Sequence, residues 1–254
     1  MCCFSVPRPG VLARLKGPAL HVANTRIFAR HLDDTWQGLA YAMDLSVGSD
    51  VAMILPLPVA PGAGEAGLEF IDLSAAPKLF EQLADGFPVP AAAMPRSRSL
   101  APAAPRPRLK VHAVGSFDAS FVPAVDDFDR LDPRFQLPRE TWDAIPAVAD
   151  FGFAVFMLRK GQRQRVHPMG LRFRRRDARL FFPTVHIHDG QVHPNADFDH
   201  TLYAQGIVDE AWGPSFAPAE QFVDIDTCGG LVQGDRRVFS LTLAGRRPNA
   251  DTWA

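Results

Sequence analysis

Short apolar runs, broken by polar and proline- or glycine-bearing stretches, recur along this chain and favour strands over helices. Near the start, Thr25 to Ala29 (TRIFA) and Leu39 to Leu45 read as strands. Asp50 to Val59 (DVAMILPLPV) reads as a buried strand with an extended, proline-fixed exit, and Leu68 to Leu73 as another strand. Ser74 stands where an N-cap belongs. Pro77 falls in a first turn, where a missing N–H costs nothing, and Gly86 supplies a stop. Together they predict a helix over Ala75 to Ala84 that buries Leu79, Phe80 and Leu83.

Further on, Lys110 to Phe117 reads as a strand, Asp118 to Leu131 as loop and short helix, and Pro138 to Ala144 as a second short helix. A dense β region follows. Phe151 to Leu158 (FGFAVFML) is strongly apolar, Lys160-Gly161-Gln162 turns the chain, and Arg165 to Arg174 returns as a strand. Leu180 to His188 and Gln191 to His193 flank Asp189-Gly190, and Val238 to Ala244 is the last strand. No repeat occurs at the periods of solenoids. The expected class is α+β, a mainly antiparallel β-sheet with a few short helices. Residues 88 to 108 carry six prolines and four arginines and little that could be buried, so they read as a linker or exposed loop. They divide the chain into an N-terminal β-rich half with one helix (1–87) and a C-terminal β-rich half (109–254), two halves expected to associate.

Composition sharpens this picture. Of 254 residues, 47% are hydrophobic and 22% charged, enough for a sizeable core. A net charge of -1 argues against holding nucleic acid or an anionic membrane through bulk charge. The locally basic stretch from Arg159 to Arg179 reads as the solvated side of two strands. The start, MCCFSVPRPGVLARLKG, has no continuous apolar region, and Val51 to Ala60 is about half the length a membrane helix needs. Cys2, Cys3 and Cys228 make a poor disulfide framework. The expectation is a soluble, cytoplasmic protein with reduced thiols and neither membrane nor nucleic acid as partner. A small-molecule substrate or a protein partner remains open.

The first candidate chemistry lies in PTVHIHDGQVHP, residues 183 to 194. Asp-Gly between β-prone runs is a strong hairpin signal, because a type I′ turn needs positive φ at both central positions. With Asp189 and Gly190 in that turn, His186 faces His193, and alternation puts His186, His188 and His193 on one face. Imidazole nitrogens bind zinc, copper or iron at about 2 Å, so three of them can converge on one ion with a position left open for chemistry. Asp197, Asp199 and His200, close in sequence, are candidates for a fourth ligand or for orienting an imidazole. The plainer reading is a polar hairpin face. The second candidate is Cys2. Removal of Met1 would leave an N-terminal cysteine whose amine can serve as base for its own thiol, as in N-terminal nucleophile hydrolases. Against it stands a packing role for Cys2, Cys3 and Phe4. Phosphate loops, dinucleotide fingerprints and G-x-S-x-G elbows are absent from the sequence.

TRIFAR, DVAMILPLPVAPG and DLSAAPKLFEQL, with looser matches at VGSFDASFVP, DFGFAVFMLRKG and HPMGLRF, resemble a bacterial family of uncharacterised secreted proteins. Its members have a Cys-rich start, an RIIFA-like strand and a DFAWVLPVP-like strand. The resemblance covers about two-thirds of the chain and implies that both halves form one unit. It brings no activity. Three functional expectations therefore stand: metal binding with metal-dependent chemistry on a small molecule, a non-catalytic interaction or structural module, and a Cys2 nucleophile hydrolase.

Overall fold

The computed structural model describes residues 2–5, 21–47, 51–87, 112–114, 117–130, 150–158, 161–165, 167–187 and 192–254. In chain order come β1 (Cys2–Ser5), β2 (His21–His31), β3 (Trp36–Val47), β4 (Val51–Leu57), β5 (Leu68–Ile71) and a short helix, α1 (Leu79–Asp85). Then follow β6 (His112–Val114), β7 (Phe117–Val122), β8 (Gly152–Leu158), β9 (Gly161–Arg165), β10 (Met169–Arg174), β11 (Phe181–Phe182) and β12 (His186–Ile187). Last are β13 (Asn195–Gln205), β14 (Gly213–Pro218), β15 (Arg237–Pro248) and β16 (Thr252–Trp253).

These strands form two large sheets and a two-stranded one, β11 with β16. Of the two large sheets the smaller has the order β12-β1-β4-β8-β7-β6, and the larger β14-β15-β13-β2-β3-β10-β5, with β9 also on β3. Among the described pairings only β1 with β12 and β2 with β13 run parallel. The chain is thus mainly β with few helices and antiparallel sheets. Both sheets draw strands from either side of residues 88–108, so the two sequence halves are interleaved within each sheet.

The sheets bury one core between them. Ile27, Leu39, Tyr41, Leu171 and Phe173 of the larger sheet pack in one cluster with Met53, Leu55, Ala154 and Phe156 of the smaller. The other face of the larger sheet is covered too. There Phe28, Ala40 and Tyr203 pack against Leu79, Phe80 and Leu83 of α1 and against Val223, Leu231 and Val232. This is why Ile27, Phe28 and Ala29 run apolar without a break: Ile27 and Ala29 face one layer, Phe28 the other. Each such fully buried Ile, Leu or Phe contributes roughly 1.5–3 kcal/mol.

Several elements differ from expectation for identifiable reasons. The helix begins at Leu79, and Lys78 is its N-cap, without a side-chain cap bond. Ser74 does not cap it, because its own N–H and hydroxyl are taken by the Asp72 carboxylate. Asp118 to Val122 belong to a strand, paired with β8. β8 finds its partners in β4 and β7, whereas β9 and β10 both pair with β3 in the other sheet. Leu180 to Ile187 break into β11 and β12. The expected helix at Pro138 to Ala144 and the turn at Asp189-Gly190 lie outside the described residues. In the later part of the basic stretch, Arg172 reaches Glu69 at 2.6 Å and Arg179 reaches Asp177 at 2.9 Å, while Arg172 and Arg174 both lie over the Trp36 ring. Among the described residues no helix is long and apolar enough to cross a membrane.

Candidate metal centre

The site is built where the two sheets meet at a rim, from residues on different sheets. β12 is the edge of the smaller sheet and pairs in parallel with β1, so Cys2 is the register partner of His186 and Cys3 that of Ile187. The backbone of this short strand is also held by side chains. Asn249 Oδ1 accepts the His186 N–H at 2.8 Å, and its Nδ2 donates to the carbonyls of His186 at 2.9 Å and His193 at 3.0 Å. Asp251 Oδ1 accepts the Val185 N–H at 3.0 Å. Such bonds satisfy backbone groups that a two-residue strand cannot pair by itself.

His200 comes from β13 of the larger sheet. In that strand Phe198, His200, Leu202 and Ala204 are buried, while Asp197 and Asp199 are exposed. Leu202 and Ala204 belong to the core between the sheets, and period-2 alternation places His200 on the same face. It is 1% exposed. Its imidazole meets that of half-buried His186, Nε2 to Nε2, at 3.2 Å. The Phe198 ring packs on both, 4.8 Å from the His186 centroid and 5.2 Å from that of His200. Asp199 Oδ1 lies 3.7 Å from His200 Nδ1, and its Oδ2 accepts the Asn24 N–H at 2.7 Å. Asn24 sits in the bulge of β2 with φ of 52°, a left-handed conformation that asparagine takes more readily than most residues.

Two imidazole nitrogens at this distance have two uses. One ring can donate an N–H to the other's lone pair. Alternatively both lone pairs point at one cation. Two nitrogens bound to one tetrahedral ion at about 2.0–2.1 Å stand about 3.3 Å apart, and 3.2 Å is close to that edge. Beside the pair opens a cleft of about 640 Å³, lined by His186, His193, Asp197, Asp199 and Arg246 among others. Arg246 lies 3.6 Å from Asp197 there.

The structure brings together some of the expected residues and relates others differently. His186 and His200 are in contact. His193 is exposed, shares their cleft and is tied to His186 through Asn249. The ladder neighbour of His186 is Cys2, where the hairpin register predicts His193. Asp199 acts as neighbour to His200 rather than as a direct partner of His186. His188 lies outside the described residues. Cys2, which the sequence offers as a rival to the histidines, is the backbone ladder partner of one of them, His186. Among the described residues, no three His, Cys, Asp or Glu side chains stand together as a ready metal-binding group. Sequence reasoning missed Asn249, Phe198 and Asn24. The signal for His200's central place was legible in Phe198-x-His200-x-Leu202-x-Ala204, an apolar alternation interrupted by one imidazole.

No family model matches this sequence, and no curated protein matches it. Solved structures do match. The crystal structure of baculovirus P35 is similar with a TM-score of 0.50 and 8% sequence identity, over 92% of this chain and 96% of that chain. The caspase-8/P35 complex gives a TM-score of 0.44 at 10% identity, over 91% and 95%. A mutated baculovirus P35 after caspase cleavage gives 0.44 at 10% identity, over 91% and 99%. At identities this low the likeness speaks of fold alone: this chain is similar in fold to baculovirus P35.

Proposed function

We propose that this protein binds a transition-metal ion, zinc, copper or iron, between His186 Nε2 and His200 Nε2, and carries out metal-dependent chemistry on a small molecule in the adjoining cleft. The observation that supports this is the 3.2 Å separation of two imidazole nitrogens, one of them on a residue buried in an apolar stripe. Burial removes competing water, and Phe198 fixes both rings, so the cation would meet donors already in place. Asp199 stands 3.7 Å from His200 Nδ1, and His193 and His188 are the nearest further imidazoles in sequence. Positions left open on the ion would take water or substrate, as hydrolytic or oxygen chemistry requires.

Elemental analysis of freshly purified protein, beside His186→Ala and His200→Ala variants, tests this. The expected result is near-stoichiometric metal in the parent and its loss in both variants. No metal in the parent after reconstitution with zinc, copper or iron, or undiminished metal in His200→Ala, would overturn it.

A second reading is a protein-binding module. It is favoured by two large hydrophobics left in water along one connection and its edge strand, Ile207 at 96% and Phe216 at 55% exposure. Caspase-8, the partner seen with P35, is the first protein to offer in a binding and inhibition assay. A stable complex with loss of protease activity, abolished by Ile207→Asp or Phe216→Asp, is the expected result. Unchanged protease activity and no complex would count against this reading.

A further inference from the structure

The imidazole pair stands at the end of a run of polar contacts that begins in the bulge of β2. We propose that Asn24 is a positioning residue for the metal-binding pair, holding the Asp199 carboxylate beside His200. This rests on the His186–His200 reading above. Asn24 donates its backbone N–H to Asp199 Oδ2 at 2.7 Å, and Asp199 Oδ1 stands 3.7 Å from His200 Nδ1. His200 Nε2 lies 3.2 Å from His186 Nε2. These residues come from β2, β13 and β12, so the fold alone unites them.

The irregularity of β2 frees the donor. Pairing with β3 runs through Ala23 with Asp44 and resumes at Arg26 with Ala42, so Asn24 and Thr25 fall between registers. Pairing with β13 starts at Arg26 with Thr201. The Asn24 N–H therefore lies outside both ladders, and a φ of 52° accompanies its turn onto a side chain of β13. The Asn24 side chain anchors that conformation. Its Nδ2 donates to Asp44 Oδ2 at 2.7 Å, and Asp44 Oδ1 lies 3.7 Å from Nη2 of Arg26. Asparagine suits the place twice over: it takes the left-handed region more readily than most residues, and it carries the amide that Asp44 accepts.

What the arrangement contributes is a held carboxylate. A metal-binding imidazole commonly has a carboxylate at its other ring nitrogen, which fixes the ring and raises its basicity. At His200 the two nitrogens divide these roles, with Nε2 at His186 and Nδ1 within 3.7 Å of Asp199. The Asp199 side chain is 48% exposed, and an unrestrained carboxylate in water moves among rotamers. The Asn24 N–H selects the rotamer that leaves Oδ1 at His200. Order set before the ion arrives need not be created on binding, so it is gained as affinity. Val22, on the same strand, lines the cleft beside the pair, which puts the bulge next to the site itself.

Zinc affinity of the full-length protein, read by competition with a chromophoric chelator, tests the role. The parent is expected to bind one equivalent, and Asp199→Ala to bind about tenfold more weakly or worse. Asn24→Gly keeps the N–H and adopts positive φ freely, so it stays within about threefold of the parent. Asn24→Val resists that conformation and loses as much as Asp199→Ala. The double variant Asn24→Val/Asp199→Ala is no weaker than Asp199→Ala, because both changes remove one contact, whereas a purely structural loss would add. Where Asn24→Val does not fold, Asn24→Ala carries the same strain in milder form and is read in the same way. Parent affinity in Asp199→Ala or in the strained Asn24 variant, a loss in Asn24→Gly equal to theirs, or additive losses in the double variant would overturn the positioning role and leave the histidine pair standing. No zinc binding by the parent would overturn both.

Discussion

At the residue scale the chain tolerates imidazoles in buried places, and their chemistry differs with their surroundings. His31 and His167 both titrate below the ordinary value of 6.5. Burial is the main cause in each, since a desolvated ring disfavours its charged form. At His31 the Arg175 guanidinium adds to this, and a hydrogen bond with the Arg179 backbone opposes it. At His167 the Pro168 carbonyl and Asp72 oppose it. The folded chain thus prefers these rings neutral, and just below pH 6.5 the unfolded chain binds more protons. Their contribution is complete above 6.5 and is lost as pH falls from there through the lowered folded values. Urea midpoints measured from above pH 7 to about pH 5 should fall across that window. A His31→Gln/His167→Gln variant should show a shallower slope, and an identical slope would show that these rings do not set it. Cys228 illustrates the opposite sign. Burial pushes its thiol up to about 11, so it stays protonated and inert in the folded protein near neutrality.

At the element scale the short strands depend on side chains for what a ladder would normally give. β11 is two residues long, and Gln37 of β3 serves as a surrogate strand for it. Its Nε2 donates to the Phe181 carbonyl at 2.7 Å and its Oε1 accepts the Phe181 N–H at 3.0 Å, all fully buried. Gln37→Leu keeps the volume but strands both backbone groups, an expected loss of roughly 2–4 kcal/mol. Chemical denaturation checks it, and a change below about 1 kcal/mol would show that water repairs the gap. Asn249 plays the same part for β12. These arrangements explain what was legible in the sequence. β2, β3, β4 and β8 announce themselves through dense apolar runs, because they lie inside layers. β13 was hidden, since Asp197, Asp199 and His200 read as a polar cluster although they alternate between water and core. The sequence predicts α1 four residues early because Ser74 looks like a cap, and nothing local shows that Asp72 has already engaged it. His186 and His200 were both recognisable as donors. Their contact was not, because it joins strands of different sheets.

At the scale of the whole molecule, the parallel pairs set the order in which the fold can be completed. β1 waits for β12, some 184 residues later, and β2 at the centre of the larger sheet waits for β13, since Arg26 pairs with Thr201. Ribosomes add about 5–20 residues per second, so the early strands stay without these partners for roughly 10–40 s. Throughout that time the edge of β2 that β13 later covers has no partner from this chain, and an uncovered edge can pair with any other extended chain. A sheet whose middle is made first and sealed last is slow to fold by topology alone. For this protein the hazardous period is its own synthesis, and holding chaperones would find their natural substrate in the nascent N-terminal strands.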